Sequence, residues 1–429
     1  MLFPKGADRA WRGRRWLASA AVAGLLCLPA TAWAQPLGLE DALARAAARD
    51  LNRPANAARV RAAEAAARQA AVKPNPNLAF DVENFAGSGA RQLADSTETT
   101  VSYEQTFERG GKREARMGAA RAEITVAGRR GEVRSLDLLR NVQTLWVEAA
   151  AAEDAVAVAE ERLFVARRLE QETARRVRAA RDPLFAGERA RTAVAEARIA
   201  IDQAQESARN ARGALAAYLG LADVEIDREG FKRLDAEVPA PPHPEALRSA
   251  DLMLLEAERD VAQARVRVEE SRAVQDPTLR AGVRHFREGD DVAFVVGGSI
   301  PIGRNANRDN VERARAERLA AEADVVAARA ERDREIARLT ARRRASASEV
   351  RRIDAEILPS ARRAVQLVRE GYNRGGGAFT YLEVAEAQRA LIDARARRAE
   401  LLKSFHLDGA SLDRLTGRHA ALVTSAEAR

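Results

Sequence analysis

The sequence contains almost no cysteine and few aromatic residues. Of its 429 residues only Cys27 is a cysteine, and Phe, Trp and Tyr together account for 4%. A single thiol excludes an intrachain disulfide and a thiolate zinc site. A composition rich in Ala, Arg and Glu, with so few rings, is typical of long helices and coiled coils rather than of a thick globular core.

Long apolar runs are also missing, apart from one near the N-terminus. The mean hydropathy is −0.36, and 31% of the residues are charged. A polytopic helical membrane protein is therefore excluded, because it would need several apolar runs of about 20 residues each. Intrinsic disorder is excluded as well, since apolar residues are frequent and regularly spaced.

The N-terminal apolar run has the features of a secretory signal peptide. Five basic residues precede the apolar stretch 17–30, and small residues at Ala32 and Ala34 fit a cleavage site before Gln35. We expect residues 1–34 to be removed by cleavage after Ala34. The mature chain is then predicted to reach the bacterial periplasm or beyond.

The net charge of +8 overstates the basic character of the mature chain. The predicted signal peptide removes five basic residues and one acidic residue, which leaves +4. The remaining Arg and Glu residues are interleaved on helical faces, whereas a nucleic-acid-binding protein gathers its basic residues in one patch. Nucleic acid is therefore not a predicted partner.

The mature sequence consists of two similar halves, 35–238 and 239–429, joined by a proline-rich linker. Each half begins with a helical segment that ends at prolines and continues with two strand-like segments. It then ends in a long helical hairpin, at about 112–219 in the first half and about 307–417 in the second. This order predicts an internal two-fold structural repeat.

The strand-like segments alternate apolar and polar residues, and they lie at about 77–86, 98–107, 277–287 and 291–302. Each is long enough to cross a bilayer as a tilted strand with one apolar face. Half-buried hairpins of a soluble domain show the same alternation, so the strands alone leave both interpretations open. Four strands cannot close a transmembrane barrel, and an open edge in lipid is too costly.

The helices favour the membrane interpretation. Proline is absent from about Lys112 to Arg181, and apolar residues recur there at spacings of three, four and seven. At 1.5 Å per residue such a helix spans roughly 100 Å, and its narrow apolar stripe fits coiled-coil packing. Pro359 is predicted to interrupt the corresponding helix of the second half. Together these features predict an oligomer with a shared β-barrel that continues as a sheath of long helices.

Several motifs resemble the TolC family of outer-membrane efflux channels, in particular its heavy-metal (cobalt–zinc–cadmium) branch. The resemblance covers essentially the whole mature chain. The motifs that carry it are Pro74-Asn75-Pro76-Asn77-Leu78, the run from Tyr103 to Arg113, Ser299-Ile300-Pro301-Ile302-Gly303, and Leu358-Pro359. The resemblance implies a mainly α fold with a small β part, in which four strands and paired helices per chain form the β-barrel and α-helical barrel of a homotrimer. It also implies contact with outer-membrane lipid, a periplasmic membrane-fusion adaptor and an inner-membrane resistance-nodulation-division transporter.

The tip of the first helical hairpin departs from the family pattern. The turn 181–184 lacks the usual glycine, whereas the second tip carries three, at 375–377. The resemblance therefore does not define how the first tip contacts an adaptor.

No catalytic constellation appears, and no enzyme activity, cofactor or metal site is predicted. The four histidines are scattered, with no pair at the i, i+4 spacing of helical metal ligands. The glycines Gly110 and Gly111 precede a lysine but lack the upstream glycine of a phosphate-binding loop. Gly110, Gly111 and Gly303 are interpreted as junctions between strand and helix.

A duct needs a constriction that opens, and the hairpin tips are the candidates. The predicted gate residues are Arg181 and Asp182 in the first tip and Tyr372, Asn373 and Arg374 in the second. In a trimer, copies of Asp182 and Arg374 would form charged rings or interchain bonds whose release widens the opening. The alternative is that these residues only cap helices.

A second set of residues near the tips is expected to contact the adaptor, by position in the helical hairpins alone. These residues are Leu184, Arg191, Ala378, Tyr381 and Ala387.

The function expected from these features is a passive exit duct of a tripartite efflux pump. Export of divalent heavy-metal cations rests on the family resemblance alone. Two alternatives remain: a duct for drugs or secreted proteins, and a soluble periplasmic coiled-coil scaffold in which the strands form a small packed domain.

Overall fold

The computed structural model describes residues 36–89, 96–234, 249–303, 307–374 and 379–427. The predicted signal peptide, the boundary between the two halves, and Ala378 with the three glycines before it lie outside the described residues.

Helices make up most of the described chain, and a single small sheet accompanies them, as the sequence predicted. The helices are α1 (Leu39–Ala48), α2 (Arg53–Ala70), α3 (Lys112–Arg178), α4 (Leu184–Leu219), α5 (Arg228–Lys232), α6 (Ala250–Arg272), α7 (Arg308–Arg352), α8 (Leu358–Arg374), α9 (Tyr381–Thr416) and α10 (Ala420–Glu427). The strands are β1 (Asn77–Glu83), β2 (Glu98–Thr106), β3 (Thr278–Phe286) and β4 (Asp291–Ser299). Among the described residues, no helix combines the length and the apolar character needed to cross a membrane.

The four strands form one antiparallel sheet in the order β1-β2-β3-β4. The register aligns Phe80, Val101, Val283 and Phe294 across the sheet, so these side chains share one face. That face is exposed: Phe80 is 67% and Phe294 88% accessible. Within the described residues β1 and β4 each have a strand neighbour on one side only. The sheet thus has an uncovered apolar face and two open edges.

The opposite face of the sheet is polar and held by ion pairs. Arg284 of β3 contacts Glu83 at 2.9 Å and Glu98 at 2.7 Å, and its Nε donates to the Thr100 hydroxyl at 2.9 Å. One guanidinium therefore ties β3 to both β1 and β2. The alternation of apolar and polar residues read from the sequence corresponds to these two faces.

The main hydrophobic core lies along the middle of α3, where α1, α4 and α9 pack against it. Leu139, Trp146 and Leu402 are at most 2% exposed there. The Trp146 indole donates to the Leu37 carbonyl at 2.9 Å, which fastens the N-terminal segment to α3. Towards the far end of α3 the apolar contacts shrink to narrow clusters, as expected for paired long helices.

The interruption predicted at Pro359 is confirmed. The helix α7 ends at Arg352, a π-helical turn covers Ile353–Ile357, and α8 begins at Leu358. Proline has no N–H to donate and its ring crowds the preceding turn, and a wider π turn accommodates both effects.

The junction between β2 and α3 relies on two glycines in the left-handed region. Gly110 has φ +69° and Gly111 has φ +71°. A Cβ on Gly110 would lie 2.6 Å from Cβ of Val274, while one on Gly111 would meet open space. Gly303, the third predicted junction glycine, does not take a positive φ, so its backbone makes no comparable demand for glycine.

Candidate functional site at the two hairpin tips

The two tips lie side by side in the structure, held by a small apolar cluster. Leu169 of α3, Tyr372 of α8 and Val384 of α9 are all buried, and Phe379 packs against them. Tyr372 has no exposed surface at all. The turn 179–183 between α3 and α4 is therefore packed directly against the end of α8.

The first turn forms a complete Schellman motif without glycine. Ala180 takes φ +52°, its N–H donates to the Val177 carbonyl at 3.0 Å, and the Arg181 N–H donates to the Arg176 carbonyl at 2.9 Å. These are the two hydrogen bonds that define the motif, in which glycine usually occupies the left-handed position. The glycine missing from the sequence is replaced by a strained alanine, and the turn directs Asp182 back towards α3.

Asp182 lies at the centre of a hydrogen-bonded network that joins the two tips. Its carboxylate accepts two hydrogen bonds from Arg176, each at 2.9 Å, and one from the Tyr372 hydroxyl at 2.5 Å. The same hydroxyl lies 3.2 Å from the Thr173 hydroxyl. Arg176 also stacks on the Tyr372 ring, 4.1 Å from its centroid, and donates to the Tyr372 carbonyl. We call Thr173, Arg176, Asp182 and Tyr372 the tip latch.

The latch keeps its carboxylate ionised and its phenol neutral. The hydrogen bonds from Arg176 hold the pKa of Asp182 below its ordinary value, against a smaller opposing effect of burial. Burial, followed by the hydrogen bond to Asp182, raises the pKa of Tyr372 to about 12. At neutral pH the phenol therefore donates to a charged acceptor, which is a strong kind of hydrogen bond.

A second ion pair joins the same helices one turn away from the latch. Arg369 of α8 donates to both carboxylate oxygens of Glu172 of α3, and Arg168 lies 3.6 Å from the same carboxylate. The Glu172 side chain is only 6% exposed. A buried carboxylate of this kind depends on its guanidinium partners, because water reaches it poorly.

The predicted gate residues separate into two groups. Asp182 and Tyr372 are brought together in the latch, 190 positions apart in sequence. Arg181 and Asn373 are exposed, and Arg374, 79% exposed, lies 3.5 Å from Glu370 rather than near Asp182. Within the described chain the partner of Asp182 is thus Arg176, which the sequence reasoning missed.

The residues missed by the sequence reasoning are Thr173, Arg176, Glu172 and Arg369. A basic residue in the last turn of a helix is common because it complements the helix dipole, so Arg176 carried no distinctive signal. Glu172 and Arg369 are 197 positions apart in the chain, and only the packing of α3 on α8 brings them into contact.

The residues expected to contact an adaptor lie around the tips in different states of exposure. Leu184 is 80% exposed, and Arg191 is paired with Glu188 at 2.7 Å. Tyr381 and Ala387 are partly buried, and burial raises the pKa of Tyr381. Ala378 is outside the described residues.

The remaining titratable groups form no metal centre within the described ranges: no group of three or more His, Cys, Asp or Glu side chains there could hold an ion. His285 lies 2.7 Å from Asp290, and Nε2 of His406 lies 2.7 Å from the Phe231 carbonyl. His419 lies 3.5 Å from Asp413. His243 is outside the described residues.

The sequence is similar to those of known proteins. Residues 243–418 match the family described as "Outer membrane efflux protein". The cobalt-zinc-cadmium resistance protein CzcC of Cupriavidus metallidurans is 31% identical over 90% of this chain and 91% of its own length. The nickel-cobalt-cadmium resistance protein NccC of Alcaligenes xylosoxydans xylosoxydans is 30% identical over 62% of this chain and 61% of its own.

Solved structures share the fold at lower identity. The channel-forming protein CusC superimposes with a TM-score of 0.72 at 19% identity, over 88% of this chain and 91% of its own. The outer membrane protein VceC of Vibrio cholerae superimposes with a TM-score of 0.69 at 19% identity, over 90% and 96% of the two chains. The chain therefore shares its fold with these two proteins. Because a relative 31% identical aligns with nine tenths of the sequence, the chain belongs to the outer membrane efflux protein family.

Proposed function

We propose that the protein is the outer-membrane exit duct of a tripartite efflux pump and that it exports divalent heavy-metal cations. Three copies would each contribute four strands to one β-barrel and their long helices to a periplasmic tunnel. The duct has no energy source of its own, so an inner-membrane resistance-nodulation-division transporter would drive export through a periplasmic adaptor.

The main support for the proposal is the sheet. Its apolar face is exposed, with Phe80 and Phe294 at 67% and 88%, and its edge strands β1 and β4 each lack a second neighbour among the described residues. In water both features would favour aggregation. Insertion into lipid covers the apolar face, and pairing of β4 of one copy with β1 of the next removes the edges.

The metal cargo is supported by the relatives rather than by a binding site. The chain's relatives include resistance proteins for cobalt, zinc and cadmium and for nickel, cobalt and cadmium. A passive duct needs a polar lumen rather than a tight site, and the polar sheet face around Arg284 fits that requirement.

Two further parts of the proposal concern chain organisation. We propose cleavage of the signal peptide after Ala34 and residence in the outer membrane with a long periplasmic extension. We also propose that 35–238 and 239–429 are two structural repeats, each supplying one strand pair and one helical hairpin to the assembly. The equivalent order of β1-β2-α3-α4 and β3-β4-α7-α8-α9 supports this division.

The tips are proposed as the periplasmic gate. The latch holds the end of α8 against the α3–α4 turn in a closed arrangement, and its release would let the second hairpin move away from the first. Arg181, Asn373 and Arg374 remain part of the proposal as exposed residues at the tip, available to neighbouring copies in a trimer. Leu184, Arg191, Ala378, Tyr381 and Ala387 are proposed to contact the adaptor.

The experiment combines location, conductance and resistance. The full chain should be recovered as a trimer from the detergent-extracted outer membrane and should conduct ions in a planar lipid bilayer. A deletion strain should become more sensitive to one or more of zinc, cobalt, cadmium and nickel. Recovery in the soluble periplasmic fraction would instead support a coiled-coil scaffold, and drug sensitivity without metal sensitivity would favour a drug duct.

A further inference from the structure

A band of exposed side chains lies at the end of the sheet where the strands join the helices. Leu78 of β1, Tyr103 of β2 and Leu279 of β3 share the apolar face there, and each is more than half exposed. Phe107 continues the strand pairing beyond β2, since its N–H donates to the Pro277 carbonyl at 2.9 Å. In the proposed duct this end of the sheet lies at the periplasmic surface of the outer membrane, because the helices extend from it into the periplasm.

Three basic side chains lie at the same junction. Lys73 comes shortly before β1, Arg109 shortly after β2, and Arg113 in the first turn of α3. Among the described residues no carboxylate oxygen lies within 4 Å of these three side chains, and Lys73 and Arg109 are exposed. The Arg113 Nε donates to the Ala71 carbonyl at 2.7 Å, which holds the end of α2 against the start of α3. We call Lys73, Arg109 and Arg113 the basic collar.

The carboxylates beside the basic collar are already paired with other cations. Glu108 accepts hydrogen bonds from Arg116. Asp276 lies 2.6 Å from the Lys112 Nζ and also accepts the Arg109 backbone N–H at 2.9 Å. These ion pairs therefore leave the charges of the collar uncompensated.

One further carboxylate near the collar, that of Glu114, is balanced by a separate cation. Glu114 and Arg267 are both exposed and line the same groove between α3 and α6. The opposite end of the sheet differs in charge, because the turn from Arg287 to Asp291 carries three carboxylates and one guanidinium. The uncompensated positive charge thus lies at the helix end of the apolar face.

We infer that the basic collar binds anionic glycerophospholipids of the inner leaflet, with the phosphodiester headgroup on the cations and the acyl chains along the apolar face. The inference rests on the proposed function, which places the sheet in the outer membrane, and adds the class of lipid that the duct selects. An apolar surface that continues into unpaired cations matches a molecule with apolar chains and an anionic head. A soluble anion would leave the apolar band uncovered, and a zwitterionic lipid carries an ammonium group that the same cations repel.

The test uses tryptophan fluorescence, for which the mature chain has a low background. Residues 35–429 contain a single tryptophan, Trp146, which is 2% exposed and lies roughly 50 Å along α3 from the sheet. Leu279→Trp places a reporter beside the collar. Val292→Trp places a matched reporter on the same face at the other end of the sheet. Each channel is reconstituted in phosphatidylcholine vesicles that contain phosphatidylglycerol or phosphatidylcholine brominated in the acyl chains, and quenching by bromine measures the relative affinity of the two lipids.

The two reporters should differ. At the Leu279→Trp reporter we expect phosphatidylglycerol to bind about tenfold more strongly than phosphatidylcholine at low salt. Screening should reduce that ratio to about twofold when NaCl is raised from about 50 mM to about 500 mM. At the Val292→Trp reporter the two lipids should quench equally.

Substitutions in the collar show which charges produce the preference. K73Q/R109Q should abolish the preference for phosphatidylglycerol at the Leu279→Trp reporter, whereas K73R/R109K, which keeps both charges, should retain it. The matched control R344Q/R351Q removes two exposed arginines of α7 that lie at least about 50 Å along the helix from the sheet. This control should leave the preference intact.

Equal quenching by the two lipids at the Leu279→Trp reporter, an equal preference at both reporters, or an undiminished preference in K73Q/R109Q would overturn the inference. Loss of the preference in sodium phosphate, at the ionic strength of the chloride buffer, would overturn it in favour of a site for free phosphate. The same preparations distinguish the inference from the proposed function. Quenching of both reporters without a headgroup preference defeats only the inference, while quenching of neither reporter by any brominated lipid defeats the insertion of the sheet and with it the proposed function.

Discussion

The tip latch can be tested by removing one oxygen atom. Tyr372→Phe keeps the ring that stacks on Arg176 and fills the apolar cluster, but it deletes the hydroxyl that donates to Asp182 at 2.5 Å and approaches Thr173. A hydrogen bond to a charged group contributes about 2 kcal/mol. If the latch holds the tips closed, its loss should shift the closed-to-open ratio about 30-fold towards open in each chain.

Single-channel conductance in planar bilayers measures this shift directly. We expect a closed, low-conductance wild type and a marked rise in mean conductance for Tyr372→Phe, with a similar rise for Asp182→Asn. Tyr381→Phe is the matched control, because the hydroxyl of this second tip tyrosine has no hydrogen-bond partner among the described residues. The Tyr381→Phe channel should therefore conduct like the wild type.

Unchanged conductance in both latch variants would refute the reasoning, provided that circular dichroism shows intact helices. The alternative, that these residues only cap helices, predicts a lower unfolding temperature with no change in conductance. The two explanations therefore differ in which measurement moves.

Four further predictions concern the same elements. Ala180→Gly should stabilise the first turn by about 1 kcal/mol, seen as slower amide exchange at the tip, because glycine takes a positive φ without strain. Glu172→Gln should lower the free energy of unfolding by about 3 kcal/mol in denaturant titration, because the guanidinium groups around it would lose the buried carboxylate with which they pair. Gly110→Ala should destabilise by about 2 kcal/mol more than Gly111→Ala in the same titration, since both share a positive φ but only the first Cβ would strike a valine. Raising the pH should weaken the tip contact between pH 10 and about 12, because the pKa of Tyr372 is raised in the folded state and the hydroxyl that donates to Asp182 loses its proton over this range. Conductance at pH 11 should therefore exceed conductance at pH 8. A conductance that does not change with pH would contradict this prediction.

The parts of the fold that depend on local periodicity were predictable. The strands alternate with period two, and the long helices repeat apolar residues every three or four positions, so their type follows from the residues themselves. The register that aligns Phe80 with Phe294 across two intervening strands could not be predicted from the sequence. It depends on the pairing of β2 with β3, whose paired residues are more than 170 positions apart in the chain. Proline marked the interruption before α8, since its missing N–H is a local property.

The latch shows why the candidate site was only half visible in the sequence. The local sequence places Asp182 in a hairpin tip, and this position was sufficient to predict it as a gate residue. Its partners depend on two longer-range conditions. Ala180 takes a left-handed backbone conformation and reverses the chain, so that Asp182 faces Arg176. This turn was not predicted, because glycine, its usual sequence signal, is absent. The packing of α8 on α3 then brings Tyr372 to the same carboxylate. A gate needs such non-local partners, because a contact within one turn of one helix would not separate when two hairpins move apart.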